Sequence, residues 1–248
     1  MYILILIVFF IIALFASIIV TYLSFLISNK VPAKWLCDYN ETPTQEMLSN
    51  QRFNYKKYGV ITTVALFLCY FGVLLTQTNV LTICLLFAII WALLLVTISD
   101  AKYQIIPDQY TIILAVLCCA FGVIDFFTTQ MFNNNIWFIL LGAVIGFALP
   151  MLLNLVTRLL LSKDGIGFGD VKLLSALGLL FGFPYIFAVI LISVFVALFH
   201  IIYLKLIKKA EEIYVPFGPY IAIASCVLCI FYTHINNGIN AYMSLLNF

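Results

Sequence analysis

Residues 79–100 read NVLTICLLFAIIWALLLVTISD, an almost wholly apolar run that ends at the carboxylate of Asp100. As a helix, a run of about 20 apolar residues is long enough to cross the hydrocarbon core of a membrane. Outward from this stretch, the chain divides at its polar segments into six more candidate spans, at 2–27, 58–76, 109–128, 136–161, 184–207 and 217–235. The pattern predicts an all-α, polytopic transmembrane helix bundle.

The composition excludes several classes of protein. Of the 248 residues, 65% are apolar and 9% are charged, and the mean hydropathy is +1.18. A soluble domain is about 45–50% apolar and about 25% charged, and a globule of this size could not bury so much apolar surface. The net charge of +2 and the scarcity of charged residues also argue against disorder and against nucleic-acid binding.

A shorter apolar run, residues 171–183, decides the topology. It would be about 20 Å long as a helix, and if it crosses, all 12 basic residues fall on one face of the membrane. Because basic loops stay in the cytosol, the sequence predicts about eight spans with both termini outside. The first run follows no basic segment and precedes no small-residue cleavage site, so we expect a span and not a cleaved signal peptide.

Acidic residues beside span ends are the candidates for chemistry. Asp100, Asp108, Asp164 and Asp170 all fall on the basic side, where an ionised carboxylate at the edge of hydrocarbon is costly. An isolated Asp in such a place would most simply cap a helix. Asp125 lies near the outer end of its span, and we expect a structural role for it.

The segment before Asp170 favours a functional role for that residue. Gly165, Gly167 and Gly169 occupy alternate positions there, and glycine allows backbone approaches that other residues forbid. If Asp170 meets Asp100, the two carboxyl groups share one proton, as in aspartic proteases. The ionised group can then activate water while the protonated one donates to a peptide carbonyl.

A second hypothesis from another class is a proton-coupled membrane transporter, in which intramembrane carboxylates relay ions. It predicts acidic groups near mid-membrane and related halves. The candidates here lie at one face and no repeat is visible, so the sequence favours the peptidase. A catalytically dead subunit would require the loss of an Asp, and both are present.

Three stretches of the chain resemble the type IV prepilin peptidases, the GxGD class of membrane aspartyl proteases. They are Asp100-Ala-Lys-Tyr-Gln-Ile-Ile-Pro-Asp108, Gly165-Ile-Gly-Phe-Gly-Asp170-Val-Lys172, and Pro216-Phe217-Gly218-Pro219. The resemblance implies that Asp100 and Asp170 are the catalytic pair. It also implies substrate-binding or supporting roles for Asp108, Gly165, Gly167, Gly169, Lys172, Pro216, Phe217, Gly218 and Pro219.

The resemblance further implies a place and a substrate. The protein would be a multi-pass protein of the bacterial inner membrane, with residues 58–248 forming the peptidase domain and the active site facing the cytosol. It would cut the basic leaders of type IV prepilins or pseudopilins, as in type II secretion, and proteolysis would need no cofactor. The membrane lipid is a further expected partner, and the oligomeric state stays open.

A second activity of the family, N-methylation of the new N-terminus with S-adenosylmethionine, is a weaker expectation here. Many members carry two zinc-binding Cys-x-x-Cys pairs in the loop after the first span, whereas residues 1–57 hold only Cys37. That segment therefore looks like a reduced methyltransferase-like region, and no zinc is expected. Cys226-x-x-Cys229 lies mid-span without a second pair, so core packing is the expectation for it.

Overall fold

The computed structural model describes residues 2–37, 42–49, 52–132, 135–161, 165–206 and 215–245, and they are helical with short connections. The helices are α1 (Tyr2–Lys30), α2 (Gln45–Leu48), α3 (Tyr55–Thr76), α4 (Val80–Tyr103), α5 (Asp108–Phe127), α6 (Ile136–Leu161), α7 (Phe168–Leu206) and α8 (Gly218–Leu245), with a 3₁₀ turn at Ala33–Leu36. Asp164, one of the candidate carboxylates, lies outside the described residues.

Six of these helices are long and apolar enough to cross a membrane, and α8 adds a shorter apolar stretch at Gly218–Tyr232. This architecture confirms the predicted all-α membrane bundle. Helix starts follow local chemistry: the side chains of Asn54 and Asn79 accept hydrogen bonds from the first turns of α3 and α4, because the first amides of a helix have no partner within it.

Helix α7 is two membrane segments joined at a sharp turn. Gly182 has a φ of 63°, which favours glycine, and Phe183 is extended, so the helix breaks between a first arm (168–181) and a second arm (184–206). Tyr185, just after the break, donates to the side chain of Asn236 in α8. His200, further along the second arm, meets Tyr220 at the start of α8. The two arms therefore run in opposite directions, which gives eight apolar helical segments among the described residues.

The first arm of α7 packs closely on α6. A Cβ on Gly142 would lie 2.5 Å from the carbonyl oxygen of Gly178, and one on Gly178 would overlap the backbone around Gly142. At this contact Ser175 donates to the carbonyl of Ala143 at 3.1 Å. Small residues let membrane helices approach closely enough for such backbone contacts. The spacing Gly142-x-x-x-Gly146 in α6 was the sequence signal for this pairing.

The two ends of the bundle differ in charge. We call the end that carries Arg52, Lys102 and Lys172 the basic end. Here Phe25, Leu36, Phe53 and Ile98 form a small cluster of buried apolar side chains, which packs the segment after α1 against α4. The side chain of Lys102 also donates to the backbone of Arg52 and pairs with Glu46 at 2.6 Å.

Asp125 organises the opposite end. It is 1% exposed and accepts backbone hydrogen bonds from Met131 at 2.7 Å and Phe132 at 2.8 Å, as well as one from the hydroxyl of Thr129. A buried carboxylate is stable only when such donors compensate for the loss of water. Asp125 thus holds the connection after α5, in agreement with the structural role expected from the sequence.

Candidate active site

Asp100 lies in the last turn of α4, at the basic end of the bundle. Its side chain is buried, with the residue 4% exposed, and its Oδ2 accepts the backbone N–H of Gly218 at 2.9 Å. Directly after the last residue of α4, Gln104 adopts the left-handed conformation and its N–H closes the helix on the carbonyl of Asp100. The chain then turns at Pro107 into α5. This sharp ending leaves the carboxylate pointing towards α8.

Asp170 lies in the first turn of α7, also at the basic end. Its backbone N–H donates to the carbonyl of Gly167, and its side chain is half-buried. Its Oδ1 is buried and has no hydrogen-bond partner among the described residues. Gly169, directly before Asp170, packs against Ile106 of the connection that follows α4, where a Cβ on the glycine would lie 3.2 Å away. The two carboxyl groups predicted as a pair thus lie at the same end of the bundle, within electrostatic range of each other, and come from different helices.

The glycines before Asp170 form a loop tied to α6. The Oδ1 of Asn154 accepts the backbone N–H of Gly165 at 2.8 Å and that of Ile166 at 3.5 Å. A Cβ on Gly167 would approach Asp170 Oδ2 at 3.3 Å, and one on Gly169 would approach Ile106 at 3.2 Å. Gly167 and Gly169 thus lie beside Asp170, whereas Gly165 lies against Thr157 of α6. Asn154 was missed by the sequence analysis because nothing in the linear pattern links it to a loop eleven residues later.

The start of α8 meets Asp100 through Gly218. A Cβ at this position would lie 2.7 Å from Asp100 Oδ2, closer than a side chain can approach a carboxylate oxygen without displacing it. Pro216 and Pro219 lie on either side of this contact in the chain, and the carbonyl of Phe217 accepts the first backbone hydrogen bonds of α8. Of the four residues expected to line the site, Gly218 makes the direct contact.

Asp108 and Lys172 pair with each other. The Nζ of Lys172 lies 2.7 Å from Asp108 Oδ1, and the two side chains are 34% and 62% exposed. The ion pair connects the first turn of α5 to the first turn of α7. The predicted supporting role of both residues stays a prediction, and the geometry gives them a bridging contact beside the carboxylate pair.

Tyr220 and His200 extend the site in a way that the sequence analysis missed. The hydroxyl of the buried Tyr220 shares a hydrogen bond of 2.5 Å with Nδ1 of His200, and Tyr220 lies two residues after Gly218, whose N–H is bonded to Asp100. His200 is twenty residues away along the chain. The signal for Tyr220 was its position directly after Pro216–Pro219. The contact ties the second arm of α7 to the start of α8.

The arrangement supplies acid–base groups without a nucleophilic Ser or Cys. Within the described residues there is no group of three or more His, Cys, Asp or Glu side chains that could hold a metal ion. Two neighbouring carboxyl groups in a water-poor setting tend to hold one proton between them. Such a pair can activate a water molecule and protonate a leaving group, which is the chemistry of aspartic proteases.

Comparison with known proteins identifies the segment that carries this pair. The sequence profile of the type IV leader peptidase family matches residues 86–202. The chain is 33% identical over 138 residues to the prepilin leader peptidase/N-methyltransferase of Aeromonas hydrophila, covering 55% of this chain and 46% of the relative. The protein of that name from Legionella pneumophila is 34% identical over 149 residues, covering 59% and 50%.

A third relative extends the alignment. The prepilin leader peptidase/N-methyltransferase of Escherichia coli K12 is 27% identical over 182 residues, covering 71% of this chain and 76% of the relative. The chain spans about half the length of the Aeromonas and Legionella relatives, and no solved structure gives a significant match. The matched segment, which is similar to the type IV leader peptidase family, holds Asp100, Asp170 and the glycine loop between α6 and α7.

Proposed function

We propose that the protein is a membrane aspartic endopeptidase that removes the leaders of type IV prepilins or pseudopilins. The observation that carries the proposal is the placement of Asp100, in the last turn of α4, and Asp170, in the first turn of α7, at one end of the bundle, where Gly169 packs against Ile106 of the connection after α4. Relatives that match this segment are named prepilin leader peptidases. The transporter hypothesis gains no support from these relatives.

In the proposed reaction, the carboxylate pair cleaves the peptide bond through an activated water. One ionised carboxylate takes a proton from the water, whose oxygen forms a bond to the scissile carbonyl carbon. The other, protonated carboxyl donates to the carbonyl oxygen and stabilises the tetrahedral intermediate. The first carboxyl then gives the proton it took from the water to the amine as the C–N bond breaks, and the second carboxylate recovers its proton from the hydroxyl of the intermediate, which restores the starting pair. Gly218 fixes the orientation of Asp100 throughout by its backbone N–H.

The proposal is tested by replacing single carboxylates. We expect Asp100→Asn and Asp170→Asn to abolish cleavage of a purified prepilin while membrane insertion persists, because neither variant can both accept and donate the proton. The matched control is Asp125→Asn, which changes a buried carboxylate at the opposite end and should retain cleavage per folded molecule. Full processing by either site variant, in a strain without another prepilin peptidase, would contradict the proposal.

The N-methyltransferase activity named in the relatives is a separate question for this chain. We propose that proteolysis proceeds without metal or cofactor, so that zinc chelators leave cleavage unchanged. S-adenosylmethionine would be needed only for methylation. Transferase activity can be measured by mass spectrometry of the N-terminus of the mature pilin, produced with this protein as the sole peptidase. A gain of one methyl group shows transferase activity, and an unmodified terminus shows a peptidase alone.

We further propose that the protein lies in the bacterial inner membrane with its basic end in the cytosol. The support is the distribution of Lys and Arg, since basic segments favour the cytosolic side. This orientation places the carboxylate pair on the side where a basic leader would remain. The segment 1–57 is proposed as a reduced methyltransferase-like region, and 58–248 as the peptidase domain.

A further inference from the structure

A long apolar groove lies between α3 and α8, with α4 as its floor. Its cavity volume is about 710 Å³. The groove follows α3 from Ile61 to Thr76, which at 1.5 Å per residue is about 22 Å, most of the roughly 30 Å thickness of a bilayer core. No Asp, Glu, Lys or Arg is found among the described residues that line it. Such a groove suits an apolar helix and not a charged ligand.

The groove narrows towards the opposite end of the bundle. There the two walls touch, since a Cβ on Gly72 of α3 would lie 2.8 Å from the side chain of Ile230 of α8. Towards the basic end, Leu94 and Thr97 of α4 form the floor. The groove is therefore a wedge between α3 and α8 whose floor runs along α4.

The basic end of this wedge reaches the carboxylate pair. Thr97 lies one helical turn before Asp100 on the same helix. Pro219, which lines the groove, directly follows Gly218, whose N–H is bonded to Asp100. A chain lying in the groove would thus leave it beside Asp100. A groove for lipid alone would have no reason to end at the reacting groups.

We propose that this groove holds the apolar helix of the prepilin during cleavage, and so presents the residues before that helix to Asp100 and Asp170. The inference rests on the proposed function, because it names the surface by which the same site takes its substrate. The leader would remain at the basic end, and the apolar helix would enter sideways from the lipid. Small residues such as Ala65 and Ala222 let a second helix approach the walls.

The depth of each substrate residue in the groove can be measured by photo-cross-linking. A photoreactive leucine analogue is placed at successive positions of the prepilin helix, and the prepilin is bound to the Asp170→Asn enzyme in vesicles. Ile223 lies five residues beyond Gly218, or about 7.5 Å along α8, and Cys226 about 12 Å. We expect probes about five and about eight residues beyond the scissile bond to attach near Ile223 and Cys226 respectively.

A pair of adjacent substitutions on α3 provides the functional control. Ala65 lines the groove, whereas its neighbour Val64 is 52% exposed and does not line it. We expect Ala65→Trp to lower the cleavage rate by about tenfold or more, because overpacking costs enough to give that factor. Val64→Trp should stay within about twofold of the wild type, since scattered exposed apolar side chains are neutral in lipid.

The outcomes separate this inference from the proposed function. Wild-type enzyme that fails to cut any prepilin would contradict the proposed function itself. The groove inference alone would be overturned if the wild-type enzyme cuts, the cross-links fall on α6 or are absent, and Ala65→Trp and Val64→Trp cleave at equal rates. The groove would then be left to lipid or to a second copy of the chain. Cross-links that advance along α8 with the probe position would support it.

Discussion

At the residue scale, the site depends on a backbone contact that only glycine permits. Gly218 donates its N–H to Asp100, and its missing Cβ leaves room for the carboxylate. A charge-assisted hydrogen bond of this kind is stronger than a neutral one. It orients Asp100 before any substrate arrives. The side chain of Asp170, by contrast, has a buried oxygen without a hydrogen-bond partner among the described residues, so no hydrogen bond to that oxygen orients the side chain.

Replacing Gly218 by alanine should therefore impair the enzyme strongly. The new Cβ would lie 2.7 Å from Asp100 Oδ2, so either the carboxylate rotates or the N–H contact breaks. We expect cleavage to fall by about tenfold or more, as for the loss of a hydrogen bond to a charged group. Initial rates with purified prepilin measure it.

The control for this variant is Gly59→Ala in α3. Its Cβ would meet the side chain of Tyr55, at the basic end but with no contact to Asp100, and alanine favours the helix. Gly59→Ala should cleave at the wild-type rate. Equal rates for Gly218→Ala and Gly59→Ala would show that the contact with Asp100 does not matter for catalysis.

At the element scale, α6 positions Asp170 without contributing a reacting group. Its glycines allow the first arm of α7 to pack against it, and Asn154 holds the loop that precedes Asp170. The height and rotation of Asp170 relative to α4 are thus set by a helix that carries no motif residue. Such supporting contacts fix reacting groups to within a fraction of an ångström.

The role of Asn154 can be tested by a pair of substitutions. Asn154→Ala removes the acceptor for Gly165 and Ile166, and we expect cleavage to fall about three- to tenfold because two backbone bonds are lost. Asn154→Asp keeps an acceptor in the same place and should restore most of the rate. If both variants cleave equally, whether fast or slowly, the hydrogen bonds are not what positions the loop.

The ion pair between Asp108 and Lys172 should contribute less to the cleavage rate than the hydrogen bonds of Gly218 and Asn154. Both side chains are more than a third exposed, and exposed ion pairs contribute little to stability. We expect Lys172→Ala to change kcat/KM by less than about fivefold, with a smaller salt dependence than the wild type. A larger loss of kcat/KM would instead indicate that Lys172 contacts the substrate, provided that a variant in which Asp108 and Lys172 exchange their charges does not recover the lost activity.

The sequence predicted the parts of this architecture that depend on local pattern. The apolar runs, the break near Gly182 and Pro184, and the carboxylate pair all follow from nearby residues and recognised motifs. The contacts of Asn154 with the glycine loop and of Tyr220 with His200 did not, because they join residues on different helices. Asp108 and Lys172 were placed beside the site, but their mutual pairing depends on how α5 and α7 meet.

At the scale of the whole molecule, charge and chemistry coincide at one end. The basic side chains, the carboxylate pair and the wide end of the apolar groove all lie there. The opposite end is held by the buried Asp125 and by aromatic packing of Phe132 against Phe181 and Tyr232. We infer a molecule that is fixed at one end and open to substrate at the other.

The orientation in the membrane is testable with two engineered cysteines in cells. Thr78 is exposed at the opposite end, in the connection between α3 and α4, and Lys56 is exposed at the basic end. We expect a membrane-impermeant thiol reagent to label Thr78→Cys in intact spheroplasts, and Lys56→Cys only after the membrane is opened. The reverse pattern would place the carboxylate pair outside the cytosol and contradict the proposed orientation.

The central claim is that Asp100 and Asp170 act as one catalytic unit. Single-turnover cleavage rates of the wild type, Asp100→Asn, Asp170→Asn and the double variant test it most directly, because residues that act as a unit are strongly non-additive. We predict that each single variant loses about a thousandfold or more, and that the double variant is no slower than either single one. A single variant that keeps more than about a tenth of the wild-type rate, or losses that multiply in the double variant, would contradict the account.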